Sequence, residues 1–165
     1  MMRLALRADL PAVVAIYNAA IPERLATADL EPVSVESRES WFASHTAGHH
    51  PLWVWEDGGG ISGWLSLGSF YGRPAYDSTA EVSVYVHPES RRRGIGASLV
   101  GGAKATAPDL GLATLLAFVF GHNQPSLSLF ARHGFEIWGR LPGVARMEGI
   151  ERDLVVLGCR LPPRA

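Results

Sequence analysis

The sequence predicts a mixed α/β fold, helices packed on one mixed sheet, and three stretches carry that prediction. Residues 81–100 open as a strand, with Val82, Val84 and Val86 alternating against Ser83, Tyr85 and His87. The same stretch then breaks at His87-Pro88, passes three arginines and two glycines, and enters a helix with Ile95, Leu99 and Val100 on one face. Residues 112–120 are nearly continuous apolar sequence, which reads as a strand covered on both faces. Residues 52–55 and 61–67 are strands joined through Asp57-Gly58-Gly59-Gly60, a hairpin turn.

The remaining elements follow in order. Residues 2–7 alternate Leu4 and Leu6 with Arg3 and Arg7, a first strand. Asp9 is placed as an N-cap with Pro11 just inside the helix, and Val13, Val14, Ile16 and Tyr17 form an apolar face that ends near Ile21-Pro22. Residues 23–33 read as irregular. Ser34 can cap a second helix over residues 37–45, which turns Trp41 and Phe42 inward and stops at Gly48-His49-His50-Pro51. Residues 69–79 are a loop rich in Tyr, Gly, Arg and Pro. The helix after the central strand ends near Pro108, and a short helix at 127–132 is closed by His133-Gly134. Strands at 135–141 and 154–161 flank a turn through Pro142-Gly143. The element order is β-α-α-β-β-β-α-β-α-β-β.

Bulk properties narrow the function. A chain of 165 residues suits one domain, expected over 1–165, and a chain of this size buries about two thirds of its unfolded surface. Hydrophobic residues make up 47% and charged residues 19%, a globular composition. A net charge of −1 argues against a nucleic-acid binder. Cys159 is the only cysteine, so an intrachain disulfide and a cysteine-based metal site are excluded, and it is expected buried and inert. The spacing His45-x-x-x-His49-His50 is metal-like, yet Gly48 and Pro51 break the helix and no carboxylate accompanies it, so it reads as a solvated helix end and no metal is expected. The N-terminus lacks an apolar signal core and no apolar run reaches about 18 residues, so a cytoplasmic protein without membrane contact is expected.

Strand, glycine-rich turn and helix N-terminus build an anion site. Gly94 and Gly96 let the backbone approach a ligand, and the first helical amides lack intrahelical acceptors. The ligand should carry phosphate. The dinucleotide fingerprint fails, because Gly94-Ile95-Gly96 lacks the third glycine and no acidic residue ends a second strand. The run G-x-x-x-x-G-K-[ST] is absent. What fits is R-x-x-G-x-G (Arg91, Gly94, Gly96) after a hydrophobic strand, which resembles the acetyl-CoA pyrophosphate loop of the GNAT N-acetyltransferase superfamily. The element order matches that fold too. Closer similarity to the phosphinothricin/methionine sulfoximine N-acetyltransferase branch lies in A-I-Y-N-A-A-I (15–21), T-A-D-L-E-P-V (27–33), F-Y-G-R-P-A-Y-D-S-T-A-E-V-S-V-Y-V (70–86), F-G-H-N-Q-P-S-L-S-L-F (120–130) and R-D-L-V-V-L (152–157).

The resemblance implies acetyl-CoA as cosubstrate, a small amine as acceptor and no metal. It implies that strands 79–86 and 112–120 splay, admitting the pantetheine arm along Val84, Tyr85 and Val86, with pyrophosphate held by Arg91, Arg92, Arg93, Gly94, Ile95, Gly96 and Ala97. Asn123 would contact the pantetheine or cap the following helix, with Ser126 along the same wall. Acetyl transfer needs an amine stripped of its proton, a donor for the oxyanion and a leaving thiolate. Glu81 matches the branch's proposed general base, and its apolar neighbours Ala80 and Val82 would raise its pKa. A tyrosine that many members carry four residues before the glycine of the G-F pair is here Phe130, so the thiolate leaves unaided or Tyr85 or His133 serves. A substrate carboxylate calls for arginine: Arg73 is placed for it, walled by Tyr71 and Tyr76, with Arg24 and Thr27 closing the far side. Relatives imply a homodimer. Acetylation of a protein or peptide, and a non-catalytic acyl-CoA sensor, are the competing functions.

Overall fold

A computed structural model describes residues 1–163; the last two positions of the expected domain lie outside the described residues. Seven strands form one mixed sheet in the order β1-β2-β3-β4-β5-β7-β6. They are β1 (Met2–Leu4), β2 (Leu52–Asp57), β3 (Gly60–Ser69), β4 (Thr79–Val86), β5 (Thr114–Phe120), β6 (Glu136–Met147) and β7 (Ile150–Arg160). Four helices accompany them: α1 (Leu10–Ala20), α2 (Glu39–Ser44), α3 (Ile95–Thr106) and α4 (Gln124–Arg132). Every strand pair is antiparallel except β4 with β5, which is parallel.

Period-two alternation sorts the two faces. Ala80, Val82, Leu65, Leu67, Leu115, Ala117, Val155 and Leu157 face one core, under Ile95, Leu99 and Val100 of α3 and Phe130 of α4. Cys159 joins that core at 5% exposure. Trp64 and Tyr85 face the other side, against Val13, Ile16 and Tyr17 of α1 and Trp41 of α2. Trp64 donates its indole N–H to Val13 O at 3.0 Å, so this buried polar atom is satisfied. No helix among the described residues is long and apolar enough to cross a membrane.

The sequence-derived elements stand with four corrections. β1 stops at Leu4, because Arg7–Asp9 form a 3-10 turn. Asp9 does not cap α1: its carboxylate accepts Leu6 N–H at 2.7 Å and two bonds from Arg3, so it closes the preceding turn instead. Its pKa is lowered, first by the Arg3 hydrogen bonds. Pro142-Gly143 is not the turn between the last strands. β6 runs on to Met147 through a bulge between Leu141 and Ala145, where Pro142 owes the ladder no N–H, and the reversal falls at Glu148-Gly149. Both turn residues have positive φ (53° and 79°), the signature of a type I′ hairpin. Finally, the His45–His50 segment is not a solvated end. His45 Nδ1 bonds His50 O at 3.0 Å, its ring packs on Trp41 at 4.8 Å, and the Nε2 atoms of His45 and His50 are buried.

Candidate active site

β4 and β5 pair only at Thr79↔Thr114, Ala80↔Leu115 and Glu81↔Leu116, then part. Alternation decides which groups face the gap. Ser78 O accepts from Ala113 N and Thr114 N on the β5 side, while His87 N donates to Ser62 O on β3. The intervening even positions therefore turn their backbone toward β5, so Val84 and Val86 present N–H and C=O to the gap while Tyr85 pairs with β3.

The gap opens into a groove of about 830 Å³ lined by Val84, Tyr85, Val86, Arg91, Arg92, Gly94, Ile95, Gly96, Ala97, Asn123 and Ser126. Eleven of the twelve residues expected along the acyl donor are thus brought together. Arg93 is the exception: its guanidinium stands 3.7 Å from Asp57 and it does not line the groove. Gly94 has φ +80° at the start of α3, a conformation that frees the first helical amides and suits glycine. Arg92 adopts φ +60° in the same turn, strained for a residue with a Cβ. Arg91 is held by Glu23 through a two-pronged pair at 2.6 and 2.9 Å.

A strap after α1 crosses the open end of the splay. His122 Nε2 lies 2.8 Å from Arg24 O, Asn123 Nδ2 donates to Leu25 O at 3.0 Å, and Tyr85 OH donates to Ala26 O at 3.0 Å. Three side chains, one on β4 and two in the turn between β5 and α4, thus hold three successive carbonyls. Asn123 also accepts Ser126 N–H as the α4 cap, so both ends of its amide are engaged. Thr27 is buried; its Oγ1 lies 2.5 Å from Tyr17 OH and accepts Asp29 N–H. Arg24 has φ +54° and bonds Ile21 O and Leu30 O.

Glu81 is half-buried at the last β4–β5 rung, on the α1 face, and burial pushes its carboxyl pKa up. Neither expected proton donor is free. Burial, first among the causes, raises the Tyr85 phenol pKa and its hydroxyl serves the strap. His133 places Nδ1 and Nε2 on the carbonyls of Leu129 and Ala97, at 2.9 and 3.0 Å. Phe130 is buried against Phe135. Tyr71, Arg73 and Tyr76 lie on an exposed loop where Phe70, Tyr71 and Tyr76 cluster ring to ring, and they line neither this groove nor a smaller cavity beyond Tyr85.

A splayed parallel strand pair ending in a glycine turn at a helix N-terminus defines an acyl-CoA-dependent acyltransferase. The model of the acetyltransferase (GNAT) family matches residues 13–135, and the chain belongs to that family. It is an N-acetyltransferase with acetyl-CoA as its acyl donor, in the phosphinothricin/methionine sulfoximine acetyltransferase-like branch. It is 52% identical over 161 residues to the candidate phosphinothricin acetyltransferase YwnH of Bacillus subtilis, covering 97% of this chain and 98% of that one. It is 33% identical to the L-methionine sulfoximine/L-methionine sulfone acetyltransferase of Pseudomonas aeruginosa, over 94% and 91% of the two chains. The crystal structure of a GNAT phosphinothricin acetyltransferase from Sinorhizobium meliloti in complex with acetyl-CoA superposes with TM-score 0.92 at 28% identity, over 98% and 88%.

Residues that the sequence did not single out include Glu23, Leu25 and Ala26 on the groove wall and Arg38, Ser66 and Ser83 around the smaller cavity. Spacing carries no signal for them, since they meet only through sheet register and the strap.

Proposed function

We propose that the chain acetylates the α-amine of a small amino acid analogue of the phosphinothricin or methionine sulfoximine type, with Glu81 as general base. The observation that carries this reading is Glu81 itself: a carboxyl with a raised pKa, half-buried where β4 and β5 part. An amine at neutral pH is mostly protonated, and a carboxylate weakened as an acid by burial accepts its proton, directly or through one water. The N–H groups of Val84 and Val86 are aimed into the gap where a thioester oxygen would gain charge. Arg91, Arg92 and the backbone from Gly94 to Ala97 supply the pyrophosphate contacts, with Arg93 outside them. Tyr85 and His133 are engaged elsewhere, so the thiolate, with a solution pKa near 8.5, leaves without a side-chain acid. Arg73, Tyr71, Tyr76 and Thr27 remain the acceptor-side candidates, and an exposed aromatic loop bearing one arginine suits closure by a second subunit.

That second subunit belongs to the proposal. On the Glu81 face, α1 and α2 cover β1 to β4. Among the described residues the same face over β5, β7 and β6 is more open: Phe118, Leu154 and Val156 are half-buried and Trp138 and Leu141 are 46% and 42% exposed. An apolar sheet face of this kind fits a homodimer.

A panel of amines assayed with acetyl-CoA tests the activity. Phosphinothricin, methionine sulfoximine and methionine sulfone should release free CoA, and Glu81→Gln should lower turnover about a hundredfold or more while acetyl-CoA binding persists. Full turnover by Glu81→Gln would remove Glu81 from the role.

A further inference from the structure

A second cavity lies on the Glu81 face of the sheet, between α1, α2, β3 and β4, with a volume of about 180 Å³. Its walls are aromatic and its floor is polar: Tyr17, Trp41 and Trp64 stand around it, with Ser66 and Ser83 on the strands beneath. Arg38 adds the one cation of the lining, its guanidinium 4.9 Å above the Tyr17 ring. Arg38 Nη2 bonds Asp29 at 3.0 Å, and the rest of its fork has no partner among the described residues. Neither serine hydroxyl has a partner among those residues either. Carrying an arginine and two hydroxyls between aromatic rings, this space differs from an ordinary packing void.

Sheet register ties the cavity to the reacting centre. Ser66↔Ser83 and Gly68↔Glu81 are successive pairs on the same face of β3 and β4. Residues two apart on a strand stand about 6.8 Å apart, close to the span from the α-nitrogen of an extended amino acid to the end of a four-atom side chain. Gly68 keeps that path clear. A Cβ built there would have a single atom within 4 Å, Glu81 O at 3.9 Å, so any larger side chain at 68 would stand in the open space beside Glu81.

We propose that this cavity is the side-chain subsite of the amine substrate, reached from Glu81 across Gly68, and that it selects unbranched side chains tipped with polar oxygen or nitrogen. The aromatic walls take the methylene stem, and Arg38, Ser66 and Ser83 bind the tip. The inference rests on the amino-acid acetyltransferase reading and adds to it where the acceptor's side chain goes.

Two measurements decide it, one of them independent of turnover. In the dead-end complex of the wild-type protein with CoA and methionine sulfone, the indole N–H resonances of Trp41 and Trp64, assigned through Trp→Phe variants, should shift while those of Trp53, Trp55 and Trp138 stay. Gly68→Val and Ser83→Val, both strand-compatible, should raise KM for methionine sulfone about tenfold or more while leaving KM for acetyl-CoA and the melting temperature near wild type. Unmoved Trp41 and Trp64 signals in a complex shown by calorimetry to form, or an unchanged KM in both folded variants, overturns the subsite and leaves the acetyltransferase reading intact. Failure of the wild-type enzyme to acetylate any amino acid analogue overturns that reading instead, and the indole signals still report on the cavity.

Discussion

Glu81 is caught between folding and chemistry. Burial raises its folded pKa, so its neutral form is the one that favours folding. That contribution is fully present below the unfolded carboxyl pKa of about 4.3 and is lost as pH rises through the raised folded value. Glu81→Gln should therefore gain stability relative to wild type at pH 8 compared with pH 5, in denaturant midpoints, while losing turnover. The acidic limb of wild-type kcat/KM should lie above the range of an ordinary glutamate. Arg92 shows the same tension in its backbone. Its φ of +60° costs roughly 1 kcal/mol in a residue with a Cβ, partly offset by glycine's freedom in the unfolded chain. Arg92→Gly should raise the melting temperature by a degree or two at most and raise KM for acetyl-CoA several-fold, more so at low salt. An unchanged KM would leave the backbone amides as the pyrophosphate's holders.

Among the elements, the α2–β2 connection carries a pH-sensitive joint. Burial lowers the pKa of His45 against the opposing pull of the His50 and Leu67 backbone, and its Nδ1 lies on His50 O. The stability this lends is present above the unfolded histidine pKa of about 6.5 and falls away as pH drops toward the folded value. His45→Phe, which keeps a ring against Trp41, should lose stability at pH 7.5 yet flatten the decline between pH 7 and 5, read from denaturant midpoints. This joint was hidden in the sequence because three histidines beside Gly48 and Pro51 look like any exposed helix end. β4 was legible from Val82 onward, since strict alternation survives in a strand with two different faces, while its bounds at Thr79 and Val86 came with the family resemblance. The β6–β7 reversal was not: Pro142-Gly143 is the stronger local turn signal, but β7's register absorbs it as a bulge and turns at Glu148-Gly149. Asp9 looked like a cap for the same reason, before Arg3 and the Leu6 amide claimed its oxygens.

At the scale of the molecule, the groove could be read from one continuous stretch because turn and helix are local. The smaller cavity could not, because Tyr17, Arg38, Trp41, Ser66 and Ser83 come from α1, the turn before α2, α2, β3 and β4, and only the folded sheet assembles them. The half-covered sheet face has the same character, and it carries the oligomer prediction. Trp138 lies flat on Gly158, so close that a Cβ there would fall 2.1 Å from its ring, leaving its outer side to solvent. Sedimentation should give a dimer for wild type. Trp138→Glu should shift it to monomer and lower turnover while its circular dichroism is retained; a wild-type monomer would remove the dimer from the proposal.

The three rungs between β4 and β5 are also a seam. Among the described residues they join the half of the sheet containing β1 to β4 to the half containing β5 to β7, together with the bonds from Ala113 N and Thr114 N to Ser78 O just before them and the strap tied by Tyr85, His122 and Asn123. A ligand lying along Val84 and Val86 occupies the place of the missing rungs, so it acts as suture as well as reactant. At a hundredfold excess over its dissociation constant such a ligand contributes about 2.7 kcal/mol to the folded state. Occupancy of the groove by CoA or its thioester should therefore raise the protein's resistance to heat and proteolysis, whether or not the acetyl group is present.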